Sequence, residues 1–158
     1  MPRARVYVDT SVFGGTQDDE FARSSQRFFD RVRSGEIVAL VSQVSLDELA
    51  LAPEAIQTVL GDLPERHVQR VPITDEVRLL ADAYVAAGAV AEASMDDALH
   101  VAAATVAHAD VIVSWNFRHI VNYHRIRRFN SVNLGSGYPM LDIRSPLEME
   151  YGDEDQDI

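Results

Sequence analysis

Residues 95–122 read MDDALHVAAATVAHADVIVSWNFRHIVN, and this stretch decides the fold. Ser94 and the alanine-rich run to about His108 predict a helix, and Asp110 then leads into Val111-Ile112-Val113, a buried strand. Working outward, Val6-Tyr7-Val8 is another buried strand, ending at Asp9 and leaving through Thr10, Ser11 and Gly14-Gly15 as a turn. Phe21, Phe28, Phe29 and Val32 recur at helical spacing from about Asp18, and Gly35 ends that helix. Ile37 to Val41 is a further strand. Ser42 and Ser45 offer caps for a helix carrying Leu46, Leu49 and Leu51, which Pro53 restarts through Leu60. Val68 to Val71 is a short strand, and a helix follows from Thr74 to Ala87 before Gly88. Phe117 to Val132 is predicted helical and Met140 to Ile143 an edge strand. Alternating strands and helices are best packed as a three-layer α/β/α sandwich around a mainly parallel sheet. One domain, 1–147, is expected, followed by a flexible acidic tail, 148–158.

Composition removes several chemistries. The chain of 158 residues has no cysteine, which excludes a disulfide framework, a Cys-based zinc site and a thiol nucleophile. All 14 basic residues are arginine, so Schiff-base chemistry and a lysine-bearing phosphate loop are excluded as well. No apolar run approaches a membrane span, and the N-terminus lacks a secretory h-region; a soluble cytoplasmic protein is the expectation. The net charge of -11 is unevenly spread. Residues 1–117 hold 18 acids against 9 arginines, residues 118–147 hold 5 arginines and one acid, and residues 148–158 hold six acids and no base. A polyanion would therefore meet a local basic patch rather than a general field. Arg118, Arg125, Arg127 and Arg128 are its candidate phosphate contacts, with a solvated helix face, a surface for an acidic partner, or a resting place for the chain's own acidic tail as the competing readings.

Ligand sites in open parallel sheets form beyond the carboxyl ends of the strands. Three acids fall there: Asp9 after the first strand, Glu48 after the second, and Asp97 opening the helix that feeds the third. Asn116, just past VIVS, takes a fourth position on the same rim. Converging carboxylates with no lysine between them repel, and a hard divalent cation such as Mg²⁺ or Mn²⁺ relieves that repulsion. Such an ion suits phosphodiester hydrolysis.

VYVDTSVFGG, the Glu in SLDELA and the 95–122 stretch together resemble the motifs of PIN-domain nucleases, and most of all the VapC-like ribonuclease toxins of toxin–antitoxin pairs. The resemblance runs from about Val6 to Ile120. It implies a metal-dependent endoribonuclease in which Asp9, Glu48, Asp97 and Asn116 hold Mg²⁺ or Mn²⁺ and Thr10 and Ser11 orient water or metal. It also implies an RNA substrate, a small antitoxin partner, a possible homodimer and no membrane. Many members carry Asp where this chain has Asn116, which motivates the alternative of a catalytically impaired RNA- or protein-binding module. A haloacid-dehalogenase-type phosphotransferase fits less well, because the second acid and the lysine it needs are absent.

Each candidate also has a structural reading. Asp9 can cap a turn. Ser45-x-x-Glu48 is a legitimate capping box, and Asp47 competes with Glu48 for the role. Asp97 sits where a helix dipole stabilises any acid, with Asp96 as its solvated neighbour. Asn116 can cap the following helix. His100 reads as a packed or rim histidine, Trp115 as shoulder packing, and His119 and His124 do not form a zinc site.

Overall fold

The computed structural model describes residues 3–154, with side chains through Glu150. Its centre is one sheet of five strands: β1 (Ala4–Val8), β2 (Ile37–Ser42), β3 (Val68–Val71), β4 (Val111–Val113) and β5 (Asp142–Arg144). Every pairing is parallel and the order is β3-β2-β1-β4-β5. The chain starts in the middle of the sheet, winds outward to β3, and then crosses to the other side of β1. Val6 to Val8 of β1 therefore lies against Val111 to Val113 of β4, although about a hundred residues separate them.

Side chains on a strand alternate between faces, and the core follows that alternation. Tyr7, Leu40 and Ile112 point to one side, where α5 (Asp75–Ala86), α6 (Met95–Val106) and α7 (Tyr123–Gly135) cover them. Val6, Val8, Ala39, Val41 and Val113 point to the other, under α1 (Thr10–Gly15), α2 (Ala22–Arg33) and α4 (Glu54–Gly61). The α/β/α sandwich expected from the element order is the observed architecture. The helix α3 (Gln43–Ala50) leaves the end of β2 directly, and α8 (Pro146–Glu154) follows β5.

Several local expectations are corrected. Thr10 to Gly15 is a helix rather than a turn, because burying Val12 and Phe13 completely outweighs the poor helix propensity of Gly14-Gly15. The next helix begins at Ala22, since the Asp18 carboxylate accepts the Glu20 and Phe21 amides and holds a turn before it. Residues 117–122 are likewise a turn. The Asn116 carbonyl accepts the amides of Ile120 and Val121, and the Asn122 side chain accepts those of His124 and Arg125 to start α7. The edge strand is shifted to Asp142–Arg144.

The acidic end is not a loose tail as far as it is described. It is helical through Glu154, and Glu150 meets Ser24 at 2.9 Å and Arg27 at 3.1 Å on α2. Glu148 lies near Arg144, not near the arginines after β4. Residues 155–158 of that expected tail lie outside the described residues. Among the described residues no helix is long and apolar enough to cross a membrane.

Candidate active site

The crossover from β3 to β4 places the ends of β1 and β4 side by side, and the Asp9 amide donates to the Val113 carbonyl across that seam at 3.0 Å. Asp9 is buried, with 5% of its surface exposed. Its Oδ2 accepts the hydroxyls of Ser11 at 2.6 Å and Ser114 at 2.7 Å. Ser11 Oγ also accepts the Trp115 amide, and Ser114 Oγ the Asn116 amide, so the chain after β4 is fastened to the carboxylate at the end of β1. One oxygen of Asp9 is thus fully engaged, while Oδ1 has no hydrogen bond among the described residues and stands 3.6 Å from His100 Nε2. Ser114 had no expected role. Its position at the end of VIVS, opposite Asp9, was decided only by the sheet order.

Glu48 belongs to the second turn of α3. The capping box lies one turn earlier, where Ser45 Oγ accepts the Ser42 amide at 3.1 Å, so Glu48 is not consumed by capping. Its Oε1 instead accepts Thr10 Oγ1 at 2.9 Å and a short hydrogen bond from His100 Nε2, leaving Oε2 without a hydrogen bond. Burial pushes the Glu48 pKa up, but His100 and Thr10 outweigh it and hold the carboxyl below its ordinary range. Asp47 is exposed and pairs with Gln43.

His100 lies one turn beyond Asp97 on α6 and is completely buried. Its Nδ1 meets the Tyr7 hydroxyl at 2.7 Å, and that hydroxyl meets Ser42 Oγ at 2.7 Å. Burial opposes charging the ring, yet Tyr7, Glu48 and Asp9 prevail and hold its pKa well above the ordinary value. The packed histidine expected here is also a partner of the acids, in contact with both Glu48 and Asp9.

Asp97, in the first turn of α6, has its pKa raised by burial and then by Asp9 and Glu48, against the opposing pull of His100 and His119. Burial is the largest cause of that shift, and the two neighbouring carboxylates add to it. Asp96 is exposed. Asn116 behaves differently from the ligand expected. Its Oδ1 accepts the His119 amide at 2.9 Å, and because a backbone N–H can only donate, the oxygen must face the turn. Its Nδ2 therefore faces Asp97 Oδ1 at 3.4 Å, so Asn116 presents a donor, not a ligating oxygen, to the acids. Thr10 and Ser11 hold Glu48 and Asp9 in place, a different task from orienting water.

The four arginines divide. Arg125 and Arg128 donate to the carbonyls of Ala89 and Gly88 and clamp the turn before α6, while Arg127 donates to the Tyr123 hydroxyl and lies over its ring. Arg118, in the turn after β4, is exposed and has no hydrogen-bond or ion-pair partner among the described residues. Trp115 is 9% exposed and stacks on Phe21, as expected of a shoulder residue. A groove of about 1040 Å³ between α3, α4 and the β3 edge contains none of the acids.

Among the described residues no group of three or more histidine or acidic side chains is arranged so that it could hold a metal ion. The donor chemistry nonetheless suits a hard divalent ion. Asp9 Oδ1, Glu48 Oε2 and Asp97 Oδ2 each lack a hydrogen bond among the described residues, and burial, with Asp9 and Glu48 adding to it, raises the Asp97 pKa.

No family model matches the chain, and no curated protein matches it in sequence. Solved structures do match in fold. A chain of VapBC2 from Rickettsia felis, bound to a DNA fragment from the promoter, aligns with a TM-score of 0.58 at 11% identity, over 89% of this chain and 98% of that one. A chain of DNA-bound VapBC from Salmonella typhimurium aligns with a TM-score of 0.54 at 15% identity, over 90% of this chain and 98% of that one. With its five parallel strands in the order β3-β2-β1-β4-β5, this chain has a PIN-like fold, which it shares with these chains of VapBC structures.

Proposed function

We propose that the chain is a divalent-metal-dependent endoribonuclease and the toxin of a toxin–antitoxin pair. The observation that carries this reading is the rim itself. What supports it is that Asp9 and Glu48 both contact the buried His100, and that burial and then these two acids raise the pKa of Asp97, each of the three having one oxygen without a hydrogen bond among the described residues.

Asp9 and Asp97 would hold Mg²⁺ or Mn²⁺, with Glu48 beside them. Such an ion supplies counter-charge and Lewis acidity at a phosphate and lowers the pKa of water. Ser11 and Ser114 keep Asp9 in one orientation, as supporting hydrogen bonds do for a ligating carboxylate. His100 and Thr10 keep Glu48 ionised with Oε2 turned free, able to accept a hydrogen bond from the attacking water. The Asn116 amide, facing the acids, can donate to a phosphate oxygen. In-line attack by water leaves 5′-phosphate and 3′-hydroxyl ends. An antitoxin would cover the acidic rim and offer it an arginine, and a homodimer accords with assemblies of this kind.

The test is cleavage of structured and unstructured RNA in Mn²⁺ by the wild type and Asp9→Asn. Cleavage that a chelator stops and Asp9→Asn abolishes, with the variant still folded by circular dichroism, is the expected result. Full activity in Asp9→Asn, or indifference to chelator, overturns it. The alternative of a non-cleaving binding module is favoured by His100, which already compensates Glu48, and by the donor that Asn116 turns toward the acids. A binding module without metal would show no rise in Tm with Mn²⁺, whereas a site filled at a hundred times its Kd gains about 2.7 kcal/mol.

A further inference from the structure

In the turn after β4 stands an aromatic group whose outer member is half exposed. Phe21 and Trp115 stack at 4.2 Å between centroids and 17° between planes, and Phe117 meets Trp115 edge-on at 6.1 Å and Phe21 at a tilt at 6.4 Å. Trp115 is fixed three ways. Its indole N–H donates to Ser25 Oγ at 2.8 Å, its amide donates to Ser11 Oγ, and Gly15 lies so close that a Cβ there would come within 2.7 Å of the indole nitrogen. Burial explains Trp115. Phe117 remains 49% exposed on this rigid backing, one residue from Asn116, whose amide faces Asp97. Arg118 follows it with no protein partner among the described residues.

We propose that the exposed face of Phe117 is a stacking subsite for an unpaired nucleobase of single-stranded RNA, with Arg118 on the adjoining phosphate. A half-exposed aromatic ring packed on a fixed indole and followed in sequence by an unpaired guanidinium is what a single strand recognises, because every base has a π-face and every linkage a charge. The acids Asp18, Asp19 and Glu20 lead into Phe21, so the phosphate contact belongs on the Arg118 side. The subsite would place a base next to the phosphate that meets Asp9 and Asp97, and it deepens the nuclease reading on which it rests.

The experiment measures binding, apart from cleavage, in chelator, by the anisotropy of a short fluorescein-labelled oligoadenylate, free or annealed to its complement. The wild type should prefer the unpaired strand. Phe117→Ala and Phe117→Leu should each weaken that binding by about 5- to 150-fold, and Phe117→Trp should restore it. Duplex binding and the Tm should stay near the wild-type values. Wild-type affinity in Phe117→Leu, an equal loss on both probes, or no wild-type preference for the unpaired strand overturns the proposal. So does a dimer that Phe117→Leu disperses in sedimentation while RNA binding persists. The two readings separate in Mn²⁺. Cleavage by both the wild type and Phe117→Leu with equal affinity leaves the nuclease and removes the subsite. Loss of binding in Phe117→Leu, when the wild type does not cleave, leaves the subsite and removes the nuclease.

Discussion

Asp97 and His100 share one turn of α6 and carry opposite consequences for stability. A carboxyl whose pKa is raised in the folded state binds its proton more tightly there than in the unfolded chain, so its ionised form opposes folding. Asp97→Asn should therefore raise the Tm of the metal-free protein near neutral pH, by about 2–4 °C for each kcal/mol relieved, while removing the Mn²⁺-linked rise. Thermal melts with and without Mn²⁺ check both halves, and a lower Tm in the variant would contradict the raised pKa. His100 works the other way. Its folded pKa lies above the unfolded value of 6.5, so its contribution is complete below that value and is lost as pH rises through the folded one. Glu48, lowered from 4.5, contributes above that value and loses its contribution as pH falls through the folded one. The pair stabilises the window between, so the metal-free protein should soften on the alkaline side. His100→Gln should cost about 1–3 kcal/mol near neutrality and flatten that alkaline decline, read from melts across the pH range.

At the scale of elements, α1 shows how a short helix can be specified by its surroundings. It has two glycines in six residues, but Val12 and Phe13 are fully buried and Gly15 lets the helix approach Trp115 and Ser25. A Cβ at Gly15 would fall 2.5 Å from Ser25 Oγ and 2.7 Å from the indole nitrogen. Gly15→Ala should destabilise by about 1–3 kcal/mol and shift the emission of the single tryptophan, because the indole must give way. Unchanged emission and an unchanged melt would show that the contact relaxes freely. Gly35, at φ +84° after α2, is a glycine that the backbone itself requires, and the sequence marked it correctly as a helix stop. The strands β1, β2 and β4 were legible for a simple reason: they are central, buried on both faces, and so written as apolar runs. Boundaries set by local capping, at Asp18 and Asn122, were misread because the competing apolar spacing ran straight through them.

For the molecule as a whole, the acidic end joins the fold through α8. Met149 packs on the α2 side of the core, while the Arg27–Glu150 pair leaves Arg27 half exposed and adds about 0–1 kcal/mol. Ending the chain after Ser145 should cost about 1–3 kcal/mol, mostly from Met149, and leave any Mn²⁺-linked stabilisation intact. A truncated protein with an unaltered melt would show that α8 is dispensable. Periodicity and spacing in the sequence determined the α/β/α class and put Asp9 at the end of β1, Glu48 on the helix after β2 and Asp97 at the start of the helix before β4, because burial periodicity and element termini are local properties that the chain must write out. Which groups those acids touch was decided only by the tertiary structure. Ser114 reaches Asp9 because β4 crosses to lie beside β1, and His100 reaches Glu48 because α6 packs against α3. The direction in which Asn116 turns its amide depends on an acceptor being needed by the His119 N–H. These are contacts between residues distant along the chain or set by a turn's geometry, and no one-dimensional spacing encodes them.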